Sequence, residues 1–300
     1  ENADGSWSIG PKSQGAIKYT FVPTNDAAPD APTRYQIGGT LRYLDSGTEV
    51  TVPLVSARIT VYPEAQLELD YFWQRDVYAD DPFTDVVEPS EPFALGLQVV
   101  NVGKGTAANM KITSAQPEII ENEKGLLIDF EIIGSQVGAN AGTNSLTVDL
   151  GTIAPGVTQT AQWNMVSSLQ GKFVDYSATF EHIDDNGDMR TSLIKSVEIH
   201  ELIRSVKVDT PSADNIPDYL VNDVPDDDHL PDVLYMSTGG QAQVSIAGNV
   251  TIGGGGLSHT LTANVEAGWS YLRVSDPLPG AGGYELYRVV DEAGHDLPVD

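Results

Sequence analysis

Cysteine is absent from the 300 residues, which excludes disulfides, thiolate zinc sites and cysteine nucleophiles. Basic side chains are scarce, 16 against 43 acidic, and the formal net charge is −27. Such a surface repels phosphate backbones and anionic membranes, because nucleic-acid affinity comes from counterions released to Lys and Arg. Nucleic acid is therefore not an expected partner. No apolar run reaches the ~18 residues that span a bilayer, so membrane insertion is not expected either. A signal-peptide h-region is also lacking, and Glu1 reads as a processed start with the signal already removed. Neither a Gly-x-Ser-x-Gly elbow nor a His-Glu-x-x-His helix occurs. The five histidines, His182, His200, His229, His259 and His295, are scattered. The expectation is a protein that is not an enzyme.

What the chain does contain is β-strand pattern. AIKYTFV (Ala16–Val22), RYQIGGTLRY (Arg34–Tyr43), EVTVPLV (Glu49–Val55) and ARITVY (Ala57–Tyr62) are rich in β-branched and aromatic residues between turn formers. Ile59 and Val61 alternate with Arg58, Thr60 and Tyr62, the period of a half-buried strand. Further strands are expected at 66–72, 93–102, 109–114, 126–133, 145–150, 158–165, 173–182, 193–199, 241–246, 260–265, 269–274 and 284–290. With no long amphipathic helix between them, they predict an all-β fold of tandem immunoglobulin-like β-sandwich modules with very little helix. Composition shifts divide the chain into an N-terminal β module (1–64), a sandwich (65–204), and an acidic connector with a C-terminal β module (205–300). Gly253 to Gly256 read as a flexible loop in that last module.

Two stretches carry a resemblance. EPFALGLQVVNVGKGTAANMKITSAQ (Glu91–Gln116) and LGTIAPGVTQTAQWNM (Leu150–Met165) place an apolar strand, Asn-x-Gly-x-Gly-x-Ala, a second strand and Leu-Gly-x-Ile-x-Pro-Gly in order. Residues 66–204 thereby resemble bacterial immunoglobulin-like modules of the CARDB and DUF11 type. The resemblance implies repeated sandwiches of large surface or secreted proteins, used for adhesion or for spacing other domains. The residues themselves read as turns, with Gly103 and Gly105 serving where positive φ is useful. Gly103-Lys104-Gly105-Thr106-Ala107-Ala108 also fits a relaxed dinucleotide fingerprint, but Met110 to Thr113 continue as a strand where that motif needs a helix.

The acidic connector repeats itself. Asn215-Ile216-Pro217-Asp218-Tyr219-Leu220 returns as His229-Leu230-Pro231-Asp232-Val233-Leu234. Calcium takes six to eight oxygens from carboxylates, amides and carbonyls. Asp214, Asn215 and Asp218 offer one set; Asn222, Asp223, Asp226, Asp227, Asp228 and Asp232 offer another. The competing reading is a solvated linker kept extended by its prolines, since neither copy has the glycine of an EF-hand loop. Asp184, Asp185, Asn186 and Asp188, and Asp76, Asp80, Asp81 and Asp85, are secondary sets.

These observations predict an extracellular, cell-surface structural or adhesive protein. It would act as a rigid spacer or as the subunit of a surface filament or sheath, stiffened by calcium at its acidic connectors. Its partners would be other copies of itself or neighbouring modules of a surface protein, with a glycan as a further candidate. The alternative is a carbohydrate-binding or accessory region of a secreted hydrolase.

Overall fold

A computed structural model describes residues 20–112, 129–172, 189–208, 214–223, 229–275 and 286–297, with 10, 12–14, 16, 18, 277 and 278. The all-β expectation holds: among the described residues, apart from two short 3-10 turns, every element is a strand. Among the described residues, no helix is long and apolar enough to cross a membrane.

Ten strands form the main sheet: β1 (Leu67–Gln74), β2 (Phe93–Asn101), β3 (Phe130–Val137), β4 (Asn140–Ala141), β5 (Thr158–Ser167), β6 (Ile194–Val206), β7 (Asp218–Asn222), β8 (Val233–Tyr235), β9 (Gln241–Ile246) and β10 (Trp269–Tyr271). Their order is β4-β3-β5-β2-β1-β6-β7-β8-β9-β10. Neighbours are antiparallel except at β1–β6, where Leu69 lies opposite Val197 and Phe72 opposite His200, and at β9–β10.

Period-2 alternation sorts the central strands onto two faces. Leu67, Leu69, Tyr71, Leu95, Leu97, Val99, Ala161 and Trp163 point to one face and are all buried. A two-stranded ladder, Ala107–Ile112 against Val148–Ile153, covers them with Ile112, Val148, Leu150 and Ile153. Trp163 donates its indole N–H to the Ser145 carbonyl at 3.1 Å, which satisfies the polar end of an otherwise apolar ring.

The opposite face carries Phe72, Ala94, Gly96 and Gln98, and the sheet itself covers it. The 13-residue strand β6 bulges between Leu202 and Arg204. Such a bulge bends a strand and increases its twist, and beyond it β7 and β8 lie back across β2 and β5. The Tyr219 hydroxyl donates to the Ala161 carbonyl at 2.8 Å, Gln98 Nε2 to the Met236 carbonyl at 2.8 Å, and Gln136 Nε2 to the Asn215 carbonyl at 2.9 Å. Gly96 is required at the crossing: a Cβ there would overlap the Tyr219 ring. The result is a three-layer sandwich, with Phe72, Leu202, Tyr219, Val221, Val233 and Tyr235 as its second core.

The Asn-x-Gly-x-Gly motif has a different physical role from the one expected. Gly103 and Gly105 are not in the left-handed region; a Cβ on either would run into the backbone of residues 63–66. The knot is Asn101, fully buried at the end of β2. Its amide donates to the Gly105 and Ile153 carbonyls, each at 2.9 Å, while its oxygen accepts the Gly103 and Gln66 amides at 3.1 and 3.3 Å.

The boundary expected near Arg204 falls inside β6, and the sheet continues through it into the connector. Gly253 to Gly255 are not a loop but ladder residues of a ribbon, Gly248–Gly255 against Ser258–Asn264. Near the N-terminus, Thr33–Ile37 pairs with Ala57–Val61 and Thr40–Asp45 with Thr48–Pro53, which together form one long ribbon. The described residues of 16–22 are not in a strand, and expected strand 173–182 lies outside the described residues.

Candidate functional site

The repeated acidic phrase is a hairpin, and its symmetry explains its residues. Tyr219 pairs with Tyr235, Leu220 with Leu234 and Val221 with Val233. Asn215 and His229, at equivalent places in the two copies, both take positive φ, 61° and 51°, a conformation that Asn and His tolerate better than most residues. The aspartate after each proline then caps the far end of the hairpin. Asp218 accepts the amides of Ser237 and Val208 at 2.7 and 2.9 Å, and Asp232 accepts the amide of Asp223 at 2.9 Å. The burial of Asp218 raises its pKa, against the pull of those amides.

The residues expected to hold calcium are therefore divided between the two ends of the hairpin. Asp214 and Asp218 meet at Ser237, whose hydroxyl donates to Asp214 at 3.3 Å. The Asn215 side chain accepts from Lys207 at 2.6 Å. Asn222, Asp223 and Asp232 sit at the other end; Asp226, Asp227 and Asp228 lie outside the described residues, as do 184–188. Most of these polar atoms are used to hold the hairpin together.

Asp223 belongs to a more concentrated group. His200, in β6 and 7% exposed, is gripped from both sides: Nδ1 donates to Asp223 at 2.6 Å and Nε2 to Asp70 of β1 at 3.0 Å. Tyr235 donates its hydroxyl to the other Asp223 oxygen at 2.7 Å. The imidazole stacks on Phe72, ring centroids 5.3 Å apart, and lies 4.8 Å from the Tyr235 ring. Phe72 in turn stacks on Tyr219 at 4.2 Å. Four consecutive strands, β1, β6, β7 and β8, thus meet at one ring beside the fold in the sheet. Glu198, Ile199, His200, Asp223 and Tyr235 line a shallow depression there.

Burial disfavours the charged imidazole, but the hydrogen bonds and charges of Asp223 and Asp70 outweigh it and raise the His200 pKa to about 9. Burial likewise works to raise the Asp223 pKa, and the hydrogen bonds from His200 and Tyr235 overcome it and hold it low. Burial and the bond to Asp223 push the Tyr235 hydroxyl up. At neutral pH the group is an imidazolium shared by two carboxylates. Both ring nitrogens are engaged, which leaves no lone pair for general-base work.

Asp70, Glu198 and His200 can also bring their ligand atoms within 4.8 Å of one another. A divalent ion at Nε2 would replace the proton there, and Asp223 on Nδ1–H would be the carboxylate that orients the ring. One imidazole with two carboxylates suits zinc, manganese or iron better than calcium, which prefers an all-oxygen shell. On the opposite face of β6, Glu201 gathers Asn222 at 3.1 Å, His229 at 3.2 Å and Arg75 at 3.8 Å.

In sequence His200 is one of five scattered histidines, and nothing local connects it with Asp70 or Tyr235. The available signals were a carboxylate inside the apolar strand Leu67–Phe72 and the Glu198-x-His200 spacing, which puts two polar side chains on one strand face. Comparisons with family models, with curated proteins and with solved structures found no match for the chain.

Proposed function

We propose that the chain is a non-catalytic structural module of an extracellular or cell-surface protein, a stiff spacer whose work is mechanical. The observation that supports this reading is the unbroken sheet. From Leu67 to Tyr271 ten strands form one hydrogen-bonded sheet, and the acidic connector contributes two of them, Asp218–Asn222 and Val233–Tyr235, both buried. Orientation is transmitted through a ladder better than through a linker, which bends thermally. The His200 group adds to the stiffness by tying β1, β6, β7 and β8 together at the bend. An imidazolium held by two carboxylates favours structural use over acid–base chemistry. The CARDB and DUF11 resemblance of residues 66–204 and the net charge of −27 fit a module that must stay soluble outside the cell.

Calorimetry of the full chain tests the reading. One transition with matching calorimetric and van't Hoff enthalpies is expected for the 67–271 body; separate melting of 65–204 and 205–300 would overturn the stiff-spacer assignment. Titrating calcium into chelated protein addresses the ion. A rise in Tm that Asp228→Ala with Asp232→Ala removes would assign calcium to the connector. A rise that instead requires zinc or manganese and His200 would assign the ion to the bend.

A further inference from the structure

We propose that the depression at the bend of the sheet binds a divalent first-row metal ion such as zinc, held by Asp70, Glu198 and His200. The inference deepens the structural reading above, since the ion would clip β1 to β6, and it rests on that reading only for the use of the ion.

The parallel pairing of β1 with β6 builds the site. In its register Asp70 stands directly opposite Glu198, and Phe72 opposite His200. Leu69, Tyr71, Val197 and Ile199 turn to the first core, so alternation puts Asp70, Glu198 and His200 together on the other face. Like charges directly opposite each other across a ladder are destabilising. Among the described residues, neither carboxylate is relieved by a Lys or Arg. Asp70 meets His200, Glu198 has no hydrogen bond or ion pair, and Lys195 is taken by Glu68 at 2.7 Å. Asp223, on the far side of the ring, brings a third carboxylate. One imidazole among three carboxylates leaves an excess of negative charge that a divalent cation reduces, and a cation between Asp70 and Glu198 turns their repulsion into a bridge.

The distances suit such an ion. The three ligand atoms lie within 4.8 Å of one another, and His200 Nε2 is 3.0 Å from Asp70 Oδ1. Two ligands on a tetrahedral zinc, with bonds of about 2.0–2.1 Å, stand roughly 3.3 Å apart. Glu198 is exposed, and a change of rotamer closes the rest of its gap. The ring is already set in place: Asp223 holds Nδ1 at 2.6 Å, Tyr235 holds Asp223 at 2.7 Å, and Phe72 stacks on the imidazole. Metal-ligating histidines are oriented in this way, by a carboxylate on the second nitrogen. One nitrogen with two carboxylates selects zinc, manganese or iron(II) over calcium. Three protein ligands leave coordination positions open on the side of the depression. The other histidine–carboxylate cluster, His229 with Glu201, has the Arg75 guanidinium against both groups, which disfavours a cation there.

Equilibrium dialysis of the full, chelator-treated chain against zinc tests this, at about 0.15 M salt to screen loose counterions. One tight zinc per chain is expected, retained in an excess of calcium, with a Tm that rises with free zinc by mass action. Glu198→Gln, whose side chain enters no core, should weaken zinc by about tenfold or more and leave the metal-free Tm unchanged. Glu131→Gln removes the same charge from an exposed position on β3 and should leave the affinity unchanged. No tight zinc, displacement by calcium, or equal affinity in the two variants would each overturn the proposal. The two readings fail separately. A chain that melts in one transition but binds no zinc ends the metal site alone; a chain that binds zinc but melts in separate transitions ends the spacer reading alone.

Discussion

The N-terminal ribbon and the Asp218–Tyr235 hairpin are both two-stranded β units, and they have opposite fates. The ribbon has the cleaner alternation, yet most of its residues are exposed. The hairpin comes from the most acidic stretch of the chain, yet every residue of both its strands is buried. Alternation therefore specifies a strand but not what it lies against. The hairpin is buried because β6 carries it over Gly96 and Phe72, and its aspartates are tolerable there because backbone amides receive them.

The strongest way to break that contrast is to remove the ring at the crossing. Tyr219→Ala should cost about 4 kcal/mol, the usual penalty for deleting a buried aromatic, as read by denaturant unfolding. His200→Leu comes next: it leaves Asp70 and Asp223 facing each other without a cation and should cost about 3 kcal/mol. Raising the pH has an effect of similar size on the same group. The folded pKa of about 9 lies above the ordinary 6.5, so its stabilisation is complete below pH 6.5 and is lost as pH climbs through 9. The loss is on the order of 3 kcal/mol, and the fall in Tm between those values should vanish in the His200→Leu chain. At the bottom of the scale, Tyr43→Ser in the ribbon should shift the stability of the body by no more than about 0.5 kcal/mol. A large effect there would mean that the ribbon is part of the core.

Much of the strand inventory could be read from local pattern. Phe93–Asn101, Thr158–Ser167 and Gln241–Ile246 lie within two residues of the expected spans, because apolar and β-branched runs between turns leave few alternatives. The hairpin could not be read this way. Asp, Pro and Asn are poor strand formers by propensity, and only the non-local bonds from Ser237, Val208 and Asp223 reverse that preference. The same limit hid the site. Asp223 stood out as one acid among many, while Asp70 and His200 are far away in the chain and meet through the β1–β6 pairing. Gly248–Gly255 failed in the other direction: four successive glycines signal flexibility, and the cross-strand partners 258–264 override it.

The parallel pairing of β1 with β6 also governs when the molecule can form. Residues 75–193 separate the two strands, and pairings across such a separation bear a large loop-closure entropy and fold slowly. During synthesis the centre of the sheet must wait with one side open until β6 leaves the ribosome. A chain released before Ile194 would keep the edge of β1 exposed, which makes truncation products of this protein prone to aggregate.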